Sequence, residues 1–194
     1  FSMSNVLDRT DCNLYLSTSD DGRNWKLLSE NALQPMANVR PNWPRDHCPL
    51  FHSNRLYVAY AYHDPTSAVY SNSSWGLLVA SNSLLDFKFV TLQTPVIANN
   101  SFVWGPEIFH DDNGGVWCIW TGGLQAEGMG KVGYAQLATD TNNLTTWTDP
   151  VPIGGTFTTN AHGNFDWFML PEKVGGQRCL WYMARDASSN ARPN

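Results

Sequence analysis

The sequence predicts an all-β protein built from repeated four-stranded antiparallel sheets, arranged as the blades of a β-propeller. Three short aromatic strands support this prediction, at residues 56–62, 116–120 and 179–183, and turn residues flank each of them. They recur at intervals of 60 and then about 64 residues, and no long segment shows a helical period. A repeat of this size with four strands per unit is typical of propellers.

Each aromatic strand follows a similar lead-in, which consists of one strand and a polar turn. The lead-in strands are predicted at residues 48–51, 106–109 and 167–170. The turns after the second and third contain glycine and asparagine, at 113–114 and 175–176, which accept the positive φ angles of tight hairpins. A third strand, another polar turn and a fourth strand opened by an aromatic residue complete the unit.

The chain contains half a unit, two complete units and another half unit. The blade pieces lie at roughly 12–30, 46–92, 104–153 and 166–185. This amounts to about three blades, whereas propellers close with four to eight. We therefore predict one domain over residues 1–194 that is an incomplete propeller, completed by further chain or by a partner chain.

The charge, the lack of long apolar stretches and the aromatic content of the sequence limit the classes of function that it can have. The net charge is −5 with only 12 Lys and Arg, and no basic run is present, which excludes a nucleic-acid surface. No apolar stretch approaches the roughly 18 residues needed to span a bilayer. The 9 Trp, 7 Tyr and 9 Phe suit core strands, and they also suit stacking on the apolar faces of sugar rings. No cofactor is expected.

Two features suggest a secreted, extracellular glycoprotein, although the first residues show no signal peptide. Three N-glycosylation sequons begin at Asn72, Asn99 and Asn143, in polar segments. Four cysteines allow two disulfides or buried free thiols, and their spacing is not that of a zinc site. These cysteines are Cys12, Cys48, Cys118 and Cys179.

Three acidic residues occupy a similar place in successive units, at the lead-in strand that lines a propeller's central channel. They are Asp46, Glu107 and Asp166. Carboxylates that converge from separate blades suit glycoside hydrolysis, in which one activates water and a protonated one donates to the leaving oxygen. The third would hold the others in register and tune their pKa. The alternative is that these acids cap turns or pair with neighbouring groups.

Aromatic residues accompany each acid and would form the walls of sugar subsites or pack between blades. They are Trp43, Trp104 and Trp167. His162, together with His47, is expected near the channel, where His162 would contact substrate or serve as a buried hydrogen-bonded residue. No ligand cluster identifies a metal.

Several motifs together resemble glycoside hydrolases of family 43. The run VWGPEIF at 103–109 resembles the Trp-Ala-Pro-Glu motif of that family, and FHDDNGGVW at 109–117 resembles the hairpin that follows it. SDDGRNW at 19–25 is similar to its outer hairpin motif, with glycine where leucine is usual, and NNLTTW at 142–147 is a looser copy. The resemblance covers most of residues 12–185.

This resemblance implies a five-bladed propeller that hydrolyses arabinose-, xylose- or galactose-containing glycans with inversion. It also implies an Asp base, an Asp that tunes pKa and a Glu acid. The repeat units can be aligned with the blades of the family in two ways. In one alignment, Asp46 matches the base and Asp166 the tuning Asp, with the acid beyond residue 194. In the other, Trp43 and Asp46 match the tryptophan motif of the second blade, Glu107 replaces the tuning Asp and the base precedes residue 1.

Three alternatives to a glycosidase remain open. A propeller that keeps sugar-stacking aromatics without a complete set of acids would be a carbohydrate-binding module. A single Asp-box spacing formed by Thr18, Asp20, Gly22 and Trp25 is compatible with a sialidase-like protein. A structural extracellular repeat is the third alternative, since propellers carry unrelated functions.

Overall fold

The computed structural model describes residues 16–29, 45–62, 74–82, 87–93, 101–124, 132–153 and 165–184. Within these ranges the chain forms strands and turns and no helix. Their twelve strands are β1 (Leu16–Thr18), β2 (Lys26–Ser29), β3 (Arg45–His52), β4 (Arg55–Tyr62), β5 (Ser74–Ala80), β6 (Phe87–Gln93), β7 (Ser101–His110), β8 (Val116–Leu124), β9 (Val132–Leu137), β10 (Val151–Pro152), β11 (Phe165–Val174) and β12 (Gln177–Ala184). The described part of the chain contains no helix of the length and apolarity that a membrane crossing needs.

The strands form four antiparallel sheets in chain order. The N-terminal hairpin is β1–β2, the first blade is β3–β4–β5–β6, the second blade is β7–β8–β9–β10, and the C-terminal hairpin is β11–β12. Each blade is a meander in which every strand pairs with the next. The prediction of an all-β fold with four-stranded antiparallel blades is confirmed. The predicted single domain over residues 1–194 stays a prediction.

The hairpin turns have the backbone geometry that their residues allow. Between β3 and β4, Ser53 and Asn54 have φ angles of 48° and 59°, and between β11 and β12, Gly175 and Gly176 have φ angles of 59° and 80°. Two consecutive positive φ angles define the tight turn whose twist matches paired strands. Glycine adopts them without strain, and asparagine is among the residues that tolerate them best.

The core lies between the sheets, because alternate residues of a strand face opposite sides. In β4, Tyr57 and Ala59 face the second blade, whereas Val58 and Tyr60 face the N-terminal hairpin. All four side chains are buried. A strand buried on both faces has an almost continuous apolar sequence, which explains the absence of a polar alternation in β4.

A buried glutamine joins the first two blades. The Gln136 side-chain oxygen, in the second blade, accepts hydrogen bonds from Trp75 Nε1 of the first blade at 2.8 Å and from Trp120 Nε1 at 3.1 Å. Its Nε2 donates to the Thr148 carbonyl at 2.9 Å. One amide group therefore satisfies two buried indole N–H groups, each of which would be costly without a partner.

Charged residues attach the C-terminal hairpin to the second blade. Asp112, in the turn after β7, accepts from Lys173 Nζ at 2.8 Å and from the Arg178 guanidinium. Strand β7 also lies against β3 on one side and β11 on the other. The first strands of three successive sheets are therefore neighbours, as expected for the strands that line a propeller's channel.

Candidate functional site

The first acid of the candidate site lies in a bulge of β3. Asp46 and His47 fall between the paired residues Arg45 and Cys48, where the register of β3 against β4 shifts. Asp46 has a φ of 52° and its side chain is exposed. A non-glycine residue with positive φ carries backbone strain, which is frequently found at functional sites.

The neighbouring strand β7 contains the same bulge. Gly105 has a φ of 53° and lies in the register shift between Trp104 and Glu107. The Gly105 amide donates to Asp46 Oδ2 at 3.3 Å, which joins the two bulges across the blade boundary. Asp46 is thereby held over the segment of β7 that leads to Glu107.

Glu107 is half-buried between the neighbouring strands. Its carboxylate accepts hydrogen bonds from the Cys48 thiol of β3 and from the Met169 amide of β11. Burial raises the pKa of Glu107, and these two hydrogen bonds oppose the rise. A carboxyl whose pKa is raised by burial is suited to hold a proton and donate it.

The structure corrects the sequence-based alignment of the three acids. The residue after the bulge is Cys48 in β3 and Glu107 in β7, so Glu107 corresponds to Cys48 and Gly105 corresponds to Asp46. The prediction that Glu107 shares the position of Asp46 was therefore wrong. The hairpin turns are the physical reason, because the sequence-based alignment matches the strands by the residues before their turns, and the turn has two residues after β3 and five after β7.

The contacts between strands place Asp166 in the same alignment. Cys48 Sγ accepts from the Ile108 amide at 3.3 Å, and Glu107 accepts from the Met169 amide, so Ile108 and Met169 are equivalent. Because β11 pairs with β12 without a bulge there, Asp166 lies at the register position of Trp104 in β7 and of Arg45 in β3, and not at that of Asp46. The backbone of Asp166 pairs with Met183 without a bulge.

The structure describes the remaining predicted site residues to different extents. The Trp104 side chain is half-buried in β7, opposite Thr121. Asp166 and Trp167 are placed by their backbone in β11, and their side chains are outside the described parts. Trp43 and His162 lie outside the described residues. His47 lies in the β3 bulge, where burial lowers its pKa to about 4.

Sequence reasoning missed the role of Cys48. Its thiol is buried and contacts both the Glu107 carboxylate and the backbone of Ile108. Burial raises the pKa of Cys118 well above its usual value, and Cys48 and Glu107 add to this effect, which places both thiols near the carboxyl. Cys48, Cys118 and Cys179 are free thiols.

The described residues offer no group of three or more His, Cys, Asp or Glu side chains that could hold a metal ion. At the opposite end of β3 and β7, the rings of His52 and His110 lie 5.1 Å apart, but they contact backbone carbonyls. His52 Nε2 is 2.7 Å from the Thr141 oxygen, and His110 Nε2 is 3.4 Å from the Phe51 oxygen. Each of these contacts links the first blade to the second, so both histidines join the two blades.

The four-stranded blades and the neighbouring inner strands place the described part of the chain in the class of β-propellers. No protein-family model matches the sequence, and no curated protein sequence matches it. Solved structures do share the fold. An α-L-arabinanase of Penicillium chrysogenum, solved with arabinobiose, has a TM-score of 0.54 at 15% identity over 89% of this chain and 55% of its own.

Two further solved structures resemble this chain to a similar degree. An α-L-arabinofuranosidase of Clostridium thermocellum, of glycoside hydrolase family 43, has a TM-score of 0.55 at 14% identity over 90% of this chain and 58% of its own. A protein of unknown function from Dyadobacter fermentans has a TM-score of 0.56 at 16% identity over 82% of this chain and 42% of its own. The chain spans about half the length of these neighbours, and identities this low demonstrate the fold alone.

Proposed function

We propose that this chain is part of a propeller that hydrolyses glycosidic bonds in a polysaccharide or glycan by an inverting carboxylate mechanism. The contact between Asp46 and Gly105 is the observation that supports it most directly. It holds an exposed carboxylate, on a strained backbone, beside the strand that carries the half-buried Glu107. The low-identity neighbours with the same fold include glycosidases.

The proposed step uses one carboxylate and one carboxylic acid. Asp46 removes a proton from a water molecule, whose oxygen attacks the anomeric carbon. Glu107 gives its proton to the glycosidic oxygen as the bond between that oxygen and the anomeric carbon breaks. Asp166, in the neighbouring inner strand β11, orients the pair and tunes its pKa values.

The proposed substrate is a plant, algal or microbial glycan containing arabinose, xylose or galactose. The arabinobiose in the Penicillium structure is a ligand of that protein, and it makes arabinan the first substrate to try here. Trp104 lies three residues before Glu107 in β7, and its half-buried ring would contribute one wall of a sugar subsite. Trp43, Trp167 and His162 complete the proposed substrate-binding set.

A carbohydrate-binding module without catalysis is the second candidate. The observation that favours it is the engagement of Glu107 by both Cys48 and Met169, which is also what a structural residue between blades requires. In this alternative the aromatic residues bind sugar and no bond is broken.

A substrate panel separates the two candidates. The wild-type protein and the Asp46→Asn and Glu107→Gln variants are incubated with arabinan, xylan and galactan, and new reducing ends are measured. Hydrolysis by the wild type that falls at least 10²-fold in both variants supports the proposed roles. Binding of a glycan without release of reducing ends, in wild type and variants alike, would establish the binding module instead. Activity that is lost in Asp46→Asn but kept in Glu107→Gln would make Glu107 structural.

A secreted, glycosylated protein is part of the same proposal. Asn143 of one sequon is exposed, in the segment between β9 and β10. Enzymatic removal of N-glycans from the protein expressed in a eukaryotic secretory host should lower its mass. An unchanged mass would contradict this part of the proposal.

A further inference from the structure

The bulged segment of β3 holds the part of β7 that carries Glu107. Asp46 accepts from the Gly105 amide at 3.3 Å, and the Cys48 sulfur accepts from the Ile108 amide at 3.3 Å. These contacts lie two residues before Glu107 and one residue after it. The backbone of β7 is therefore fixed to the first blade on both sides of the carboxyl, and Cys48 supplies the contact next to it.

The bulge directs the Cys48 side chain toward the second blade. Asp46 and His47 fall in the register shift, and pairing with β4 resumes at Cys48, which is opposite Ala59. Both Cys48 and Ala59 belong to the apolar cluster between the first two blades, and Cys48 is only 8% exposed. The thiol is thus enclosed between the blades, within reach of the Glu107 carboxyl.

The proton of the Cys48 thiol has acceptors of two kinds. They are the Glu107 carboxylate and two backbone carbonyls, those of Ile108 at 3.7 Å and Pro49 at 3.9 Å. Burial and the Glu107 carboxylate raise the pKa of Cys48 above its usual range, so the thiol keeps its proton when the carboxyl is ionised. Because hydrogen bonds to ionised acceptors are the stronger ones, the thiol then donates preferentially to Glu107.

A sulfur atom at this position suits a carboxyl that must hold a proton. Hydrogen bonds to a carboxylate favour its ionised form, whereas burial favours its protonated form. The Met169 amide of β11 already donates one hydrogen bond to Glu107. A thiol is a weak donor, so it fixes the carboxyl with a smaller loss of the protonated form than a hydroxyl would cause.

We propose that Cys48 is a positioning residue for Glu107, whose thiol holds the carboxyl in place while leaving it able to keep the proton that it donates. The need for that proton rests on the proposed function, whereas the contact between the two side chains does not. The alternative is that Cys48 is only a core residue, as buried cysteines ordinarily are. In that case a change of the group at position 48 has no influence on the protonation of Glu107.

Isotope labelling of the glutamate carboxyls tests the proposal by NMR titration, in which the Glu107→Gln variant identifies the Glu107 signal by its absence. Relative to the wild type, Cys48→Ser should shift the midpoint of the Glu107 titration to lower pH, because a hydroxyl is the stronger donor. Cys48→Ala should shift it to higher pH, because no donor remains. Midpoints that stay unchanged, or that move in the same direction in both variants, would overturn the proposal.

The neighbouring thiol provides a matched control. Cys118 is fully buried in the same apolar cluster and lies opposite Ile108 in β8, but the thiol that donates to Glu107 is that of Cys48. Cys118→Ser also adds a hydroxyl to this core, and it should leave the Glu107 midpoint unchanged. A shift equal to that of Cys48→Ser would show that any polar group in the core has this effect, and it would overturn the proposal.

Other titratable residues on the strands packed around Glu107 do not produce opposite shifts in the two variants. They include Asp46 and His47 in β3, Tyr57 in β4, Cys118 in β8 and Asp166 in β11. Burial lowers the pKa of His47 to about 4, so this ring is uncharged above that pH. Because all these residues are the same in Cys48→Ser and Cys48→Ala, a difference between the variants reports the group at position 48.

Raman spectroscopy of the wild-type protein covers the case in which Cys48→Ser does not fold. The stretching bands of the thiol S–H groups are recorded across the pH range in which Glu107 titrates. One band should move to higher wavenumber as Glu107 takes up its proton, because the hydrogen bond from Cys48 weakens when its acceptor loses its charge. If no band moves with the Glu107 midpoint, the proposal is overturned.

Hydrolysis assays separate this proposal from the proposed function. In an active protein, the rate should fall as pH rises through the pKa of the proton donor, and Cys48→Ser should move this fall to lower pH. Hydrolysis whose pH profile is the same in Cys48→Ser and wild type would overturn the proposal and leave the proposed function standing. The predicted NMR shifts in a protein that hydrolyses no glycan would support the role of Cys48 and contradict the proposed function alone.

Discussion

The Gly105 amide donates to the Asp46 carboxylate at 3.3 Å, and the two residues hold the same position in the bulges of adjacent strands. Their φ angles of 53° and 52° are almost identical. The second blade uses glycine for this conformation, whereas the first blade places an aspartate there despite the strain. The aspartate supplies at this position the carboxylate that accepts the Gly105 amide, which glycine could not supply.

The strain at Asp46 can be measured with two substitutions. Asp46→Gly and Asp46→Ala both remove the hydrogen bond to Gly105, but only alanine introduces a Cβ that disfavours the left-handed conformation. Asp46→Ala should be less stable than Asp46→Gly by about 1 kcal/mol, because glycine accepts positive φ without steric cost. Urea unfolding of both variants measures the difference. Equal stability, or a more stable alanine variant, would show that the bulge is not strained.

The raised pKa of Glu107 gives stability a defined pH dependence. A carboxyl with a raised folded-state pKa binds more protons in the folded state, so its protonated form favours folding. This contribution is complete below the ordinary value of 4.5 and is lost as pH rises through the higher folded-state value. Glu107→Gln, a neutral replacement, should flatten the fall in unfolding free energy above pH 4.5. An unchanged pH profile in the variant would contradict the burial of Glu107.

The ion pairs of Asp112 should respond to salt and acid. Lys173 and Arg178 hold the pKa of Asp112 below its usual 3.8, so their contribution is present above that value and lost as pH falls through the lowered one. Asp112→Asn should lower the melting temperature slightly at low ionic strength, and about 1 M salt should remove the difference, because the pairs are exposed. Asp20→Asn, which removes another exposed carboxylate, is the control. A difference that persists in salt would show a non-electrostatic role.

Gln136 should be among the residues most sensitive to substitution. Gln136→Leu leaves Trp75 Nε1 and Trp120 Nε1 buried without their shared acceptor, so we expect a loss of about 2–4 kcal/mol in unfolding free energy. Trp75→Phe in the Gln136→Leu background should cost less than in the wild type, since it removes one of the orphaned donors. Chemical unfolding of the four proteins completes this double-mutant cycle. Additive losses would show that the two residues do not act through this hydrogen bond.

The strands themselves could be predicted from sequence because aromatic and β-branched runs end at clear turn residues. The strand predicted at 116–120 is the first part of Val116–Leu124, and the strand at 179–183 lies within Gln177–Ala184. The blade order followed from the repeat. What the sequence lacked was the register of the inner strands, since a bulge adds one residue without a characteristic side chain.

The site was predicted less completely for the same reason. Asp46 and Glu107 were identified by chemistry and repeat position, and the structure brings their strands together. Their equivalence was misjudged, because the two strands were aligned by the hairpin turns that follow them, and these turns differ in length. The thiol of Cys48 as a partner of Glu107 could not be anticipated, because cysteine in a strand is ordinarily a core residue.

The most direct test of the central claim compares the wild type and Asp46→Gly on the glycan that the substrate panel identifies. Proton NMR follows both the release of product and its initial anomeric configuration, and a separate titration measures glycan binding. We predict inverted product from the wild type, at least a 10²-fold lower rate for Asp46→Gly, and binding within a few-fold of the wild type. Equal rates for the two proteins, or binding without any product, would contradict a hydrolase that uses Asp46.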